Sequence, residues 1–156
     1  MFFGSEYRNL FLRQLNDTDD NELTVFITQS KKVKPSSNSL EDEKNEKIRE
    51  LLSRTMQLVS DDTQIYRIHF ERYLMYQGRN ESYAYNDDDH ISVGQGLILF
   101  EKSKLLDYVN EVMDVPAAMH MQHGNKLQHY GIYTLNNIID VVTLHEPVIE
   151  KVSRSE

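Results

Sequence analysis

The sequence contains no cysteine and no tryptophan, only three prolines and six glycines, and too few basic residues to balance its acids. Without cysteine there is no disulfide, no thiolate nucleophile and no cysteine-ligated zinc, and the chain suits a reducing cytoplasm. The scarcity of glycine and proline excludes collagen-like and low-complexity classes. Lysine plus arginine is 17 against 25 aspartates and glutamates, a formal net charge of −8. A phosphate backbone repels such a surface, and the basic cluster Lys31, Lys32 and Lys34 runs directly into an acidic stretch, so nucleic acid is not an expected partner. Long hydrophobic runs are missing as well: no uninterrupted one exceeds four residues, as at Leu97 to Phe100. No membrane-spanning helix is expected, and the first six residues have neither the basic nor the apolar character of a secretory signal.

What is present is a chain of 156 residues, 39% apolar, with nine tyrosines and six phenylalanines. That supports one core, so residues 1–156 read as a single domain. Tyr7 to Leu15 and Leu23 to Thr28 read as a hairpin around Asn16-Asp17-Thr18-Asp19-Asp20-Asn21, whose side chains favour turns. Residues 30–45 read as an exposed polar loop centred on Pro35.

A helix is expected from about Leu40 to Val59, capped by Asn38 or Ser39. It would pack an Ile48, Leu51, Leu52 and Met56 stripe on a sheet. Ile65 to Gln77 reads as a long strand that must bend near Arg72, because thirteen residues would span about 40 Å if straight. Arg72 falls in its apolar register and would need a carboxylate such as Glu71, Glu81 or Glu101 if buried. Ser103 can cap a second helix that ends at Pro116, followed by a Met/His loop over Ala117 to Lys126. Leu127 to Leu135 and Ile138 to Leu144 form a hairpin about Asn136-Asn137, apolar on both faces and so covered on both. A two-residue turn there would place Tyr133 opposite Asp140. The order β-β-α-β-β-α-β-β indicates an α+β fold with a mainly antiparallel sheet and two helices.

Candidate chemistry is concentrated beside the bent strand. Arg79 could clamp a carboxylate or phosphate, Glu81 could act as a base, and Asp87, Asp88, Asp89 and His90 complete a polar recognition loop. The aspartates lack the alternating spacing and glycine of a calcium loop, so no metal is expected there. His120 and His123 lie three apart but have no third ligand implied, so they do not define a metal site either. His129, Tyr133 and Asp140 share one face of the last hairpin and read as a hydrogen-bonded structural group.

Gly94-Gln95-Gly96 lacks the rest of a dinucleotide fingerprint, and there is no Walker-type run, nucleophile elbow or zinc-protease helix. With no catalytic residue and no cofactor specified, the favoured expectation is a small non-catalytic binding or protein-interaction module. One version is an acidic, immunity-type inhibitor of a partner with a basic surface, drawn in by electrostatic steering. The alternative is a small hydrolase using acid–base or metal-assisted chemistry in residues 79–90. Self-association through the last hairpin's edge is a third reading.

Overall fold

A computed structural model describes residues 4, 7–35, 44–85, 87 and 89–152. Nine strands and three helices follow in the order β1 (Phe11–Asp17), β2 (Leu23–Val33), α1 (Glu46–Arg54), β3 (Gln57–Phe70), β4 (Met75–Asn80), a 3-10 turn (Glu81–Tyr83), β5 (Ile91–Gly94), β6 (Leu97–Lys102), α2 (Lys104–Val112), α3 (Val115–Gln122), β7 (Gln128–Tyr133), β8 (Asn137–Thr143) and β9 (Val148–Val152) among these residues. The fold is α+β, and its pairing is antiparallel in two sheets rather than one. A four-stranded sheet has the order β1-β2-β3-β9, and a five-stranded sheet the order β4-β8-β7-β6-β5. No helix among the described residues is long and apolar enough to cross a membrane.

Alternation along the strands builds three layers. Val25, Ile27, Ile68 and Phe70 of the first sheet meet Leu97, Tyr130, Ile132, Ile139 and Val141 of the second in one core. The intervening residues of the second sheet point the other way, since successive strand side chains take opposite faces. There Val142 and Met75 are covered by Leu106 and Val109 of α2 and by Val115 and Met119 of α3. The last hairpin is thus covered on both faces, as its apolar pattern demands. The helices cover only one end of the outer face, and the site lies on the rest.

The single bent strand expected from Ile65 to Gln77 is two strands in different sheets: β3 ends at Phe70, β4 begins at Met75, and Arg72, where the bend was expected, adopts a positive φ of 49° in the turn between them. Arg72 itself is solvent-exposed beside Glu71 at 3.9 Å, so it is a turn residue and not a buried cation. Two hydroxyls steady the turn, with Tyr73 and Tyr76 both donating to Asp17 at the end of β1. Burial, and then the bond to this carboxylate, pushes the Tyr73 phenol up to about 12.

Other expectations are corrected. The first helix is only nine residues long, its cap is Asn45, and none of its residues is buried. Ile48, Leu51, Leu52 and Met56 face solvent, with Leu51 66% and Leu52 36% exposed. The periodicity is real, but β2 and β3 extend together past the body, pairing Lys31 to Val59 and Val33 to Gln57, and carry the helix away from the core. Residues 30–33 are therefore strand, and Val59 is too. The predicted caps Asn38 and Ser39, and the helix start at Leu40, lie outside the described residues.

Pro116 begins a helix instead of ending one. It occupies the first turn of α3, where its missing N–H costs nothing, and Asp114 caps that turn by accepting from the Ala117 N–H. The presumed Met/His loop is largely this helix. His120 lies on it, whereas His123 is its left-handed C-cap at φ 54°, so the two do not share a helical face. Finally, the last hairpin pairs Tyr133 with Ile138 and Gly131 with Asp140, two residues out of the expected register. Thr134 makes the longer turn by bonding the Asn137 N–H and C=O, and a shift of two keeps every side chain on its expected face.

Candidate functional site

Outward positions on four adjacent strands form the floor of the site. β4 supplies Gln77 and Arg79, β8 supplies Ile138 and Asp140, β7 supplies His129, Gly131 and Tyr133, and β6 supplies Phe100. Asp140, fully buried, is the centre. Its Oδ1 accepts from His129 Nε2 at 2.9 Å and Arg79 Nη2 at 3.3 Å. Its Oδ2 accepts from Arg79 Nε at 2.8 Å and Gln77 Nε2 at 3.0 Å. Burial alone would raise this carboxyl's pKa, but the bonds from His129, Arg79 and Gln77 outweigh it and hold the group below the usual aspartate range. The Arg79 guanidinium is shifted up for the reciprocal reason: desolvation opposes the charge, and the Asp140 bond and charge more than restore it.

The network continues into α2. His129 Nδ1 lies 2.8 Å from Ser103 Oγ, and Ser103 Oγ accepts the Leu106 N–H at 3.1 Å as the helix cap. Because Asp140 is an acceptor only, His129 Nε2 donates to it, and the other ring nitrogen meets the Ser103 hydroxyl. One buried chain therefore joins the start of α2 to the middle of the sheet. Phe100 stacks on His129, with ring centres 4.2 Å apart and planes 13° from parallel.

Gly131 makes this packing possible. A Cβ there would come within 2.7 Å of Tyr133 Cε2 and 2.9 Å of Phe100 Cε2. Its bare backbone leaves the space in which the two rings converge.

Above the floor is a cavity of about 510 Å³, within the size range of small-molecule sites. Tyr85, Tyr108 and Leu105 contribute apolar wall, while Glu81, Asp87, His90 and Lys104 contribute polar groups. Of the residues expected to form a recognition loop, Arg79, Glu81, Asp87 and His90 do converge on it. Asp89 is exposed and absent from the lining, and Asp88 lies outside the described residues. Arg79 and His90 are already engaged: Arg79 by Asp140, and His90 by its Nδ1 contact with the Asp87 carbonyl and its edge-on approach to Phe100 at 5.4 Å. Asp87 is more than a solvated acid. Its Oδ2 accepts the Lys104 N–H at 2.9 Å and its Oδ1 the Asp89 N–H at 3.2 Å, which ties the loop to the start of α2. The Lys104 N–H bond, ahead of the neighbouring cations, holds the Asp87 carboxyl below its ordinary value.

The group His129, Tyr133 and Asp140 is united as its shared face implied, though His129 and not Tyr133 bonds the carboxylate. Tyr133 instead meets Arg79 Nη2 at 3.5 Å. Ser103 was legible as a helix cap, but its second bond, to His129, was not. Among the described residues no group of three or more histidine, aspartate or glutamate side chains is arranged to hold a metal.

Comparison with protein-family models, curated proteins and solved structures finds no match to this chain.

Proposed function

We propose that the protein is a non-catalytic binding module that receives a small ligand in the cavity on the outer face of its five-stranded sheet. The observation that carries this reading is the saturated floor. Both Asp140 oxygens, both His129 nitrogens and the Ser103 hydroxyl are committed to one another or to the helix cap. Such a floor is rigid and offers shape and fixed dipoles, with its proton carriers already occupied. The convergence of Glu81, His90 and Arg79 in a concavity also favours a pocket ligand over docking of a basic partner on a flat acidic face. We place the module in a reducing compartment, in keeping with its lack of cysteine. Fragment screening by protein-observed NMR tests the reading: hits should perturb Tyr133 and His129 resonances. Hits that all map away from the cavity would refute it.

A second reading has a specific observation in its favour. Ser103, His129 and Asp140 form a hydroxyl–imidazole–carboxylate chain at 2.8 and 2.9 Å, the constellation of an activated serine nucleophile. Against it, the Ser103 oxygen is drawn to the Leu106 N–H, and Asp140 shares its charge with Arg79. A fluorophosphonate probe decides between them. Stoichiometric labelling, abolished in Ser103→Ala, would establish a serine nucleophile at Ser103, a different hydrolase from the one expected in residues 79–90.

A further inference from the structure

We propose that the cavity's ligand is a small carboxylate with an aromatic or apolar body, anchored by the free edge of the Arg79 guanidinium; this rests on the cavity being a ligand site. Arg79 meets Asp140 side-on, through Nε and Nη2. The guanidinium is planar, so this arrangement turns Nη1 away from Asp140, and among the described residues Nη1 makes no hydrogen bond. Arg79 lines the cavity, and its side chain keeps 32% of its surface exposed. A cation held in one orientation by a buried carboxylate, with Nη1 left over on a residue that lines the cavity, can give a charge-assisted hydrogen bond to a ligand carboxylate. The Tyr133 hydroxyl beside Nη2 adds a second polar group at the same end.

The other walls set the rest of the ligand. Phe100, Tyr108 and Tyr133 give aromatic surface for an apolar body. Glu81 and Asp87 also line the cavity, and the ion pair of Asp87 with Lys104 Nζ at 3.8 Å leaves little positive charge for a second anion. A dianion such as a phosphate monoester would meet these carboxylates in a partly dry site. A monocarboxylate brings half that charge against them, and an ammonium on the same ligand could face Glu81. The favoured class therefore includes aromatic amino acids.

The test holds the body constant and varies the charge. Phenylacetate, phenylalanine, phenyl phosphate, benzylamine and benzyl alcohol are titrated against the full chain by ligand-observed NMR. The two carboxylates should bind at least about tenfold more tightly than benzyl alcohol, the scale of one charge-assisted hydrogen bond. That preference should vanish in Arg79→Lys, which keeps a positive charge but removes Nη1. If that variant does not fold, the Arg79 Nε–H resonance of the unmodified protein should still shift with phenylacetate and not with benzyl alcohol. Equal or tighter binding of the alcohol, amine or phosphate would overturn the carboxylate assignment while leaving the cavity as a binding site. No binding of any probe up to about 10 mM would overturn both.

Discussion

His129 and Asp140 are joined by a 2.9 Å hydrogen bond although they do not face each other across the β7–β8 ladder: Asp140 is opposite Gly131, and His129 is opposite Val142. The bond is diagonal, and such neighbours come within reach when one side chain is long. Gly131 puts no side chain between them, and the Phe100 and Tyr133 rings close over its backbone. A side chain directly opposite Asp140 would compete with this contact and would displace the Phe100 and Tyr133 rings. The site is thus specified as much by a missing side chain as by those present.

Asp140→Ala removes the acceptor shared by His129, Arg79 and Gln77, and strands a partly buried cation. Loss of one member of a buried pair costs about 3–5 kcal/mol. Arg79 reaches solvent on one side, so the lower end of that range is expected. Urea unfolding with an unchanged slope would check this, and a loss below about 1 kcal/mol would show that water replaces the carboxylate.

Acid should weaken the fold through the same residue. Asp140 has its pKa lowered in the native protein, so its contribution is fully present above the unfolded carboxyl's value near 3.8. It is lost as pH falls from there through the lower folded value, because the unfolded chain then binds the extra proton. Unfolding free energy should drop steeply below about pH 4. In Asp140→Asn that part of the slope should disappear, and equal slopes in the two proteins would assign acid sensitivity to other carboxyls.

Gly131→Ala tests the space in the floor. Its Cβ would lie 2.7 Å from Tyr133 and 2.9 Å from Phe100, closer than carbon atoms pack, so at least one ring must move. Overpacking of this kind costs about 1–3 kcal/mol. Thermal unfolding should show the loss, and the ring-current shift of His129 protons, which report the Phe100 stack, should change with it. An unaltered melting temperature and spectrum would mean that the rings yield freely.

Much of this architecture could be read from local pattern, because strand alternation is local. His129, Tyr133 and Asp140 could already be grouped on one face of the last hairpin, and a register error of two residues left that grouping intact. Arg79, Glu81, Asp87 and His90 stood out by residue type, and all four reach the cavity. What local pattern could not carry was contact at a distance. The Ser103–His129 bond spans 26 positions and that of Gln77 with Asp140 spans 63. The helix stripe failed for a related reason: a 3.6-residue apolar period shows which face would be buried if a partner surface lay beneath it. In α1 the extension of β2 and β3 removes that surface.

The contrast between Leu52 and Leu97 makes that last point measurable. Had the first helix lain on the sheet, Leu52→Ala would cost about 2–5 kcal/mol, as for other large-to-small core changes. Leu52 is 36% exposed on a helix with no buried residue, so truncation leaves no cavity and should change stability by no more than about 0.5 kcal/mol. Leu97→Ala is the matched control. Leu97 is fully buried in the core shared by the two sheets, and its truncation should cost the full core amount, about 2–5 kcal/mol. Chemical unfolding of the two variants side by side should therefore separate them by more than about 1.5 kcal/mol. If Leu52→Ala proved as costly as Leu97→Ala, the helix would have to fold back onto the body in solution, and its apolar stripe would be a packing surface after all.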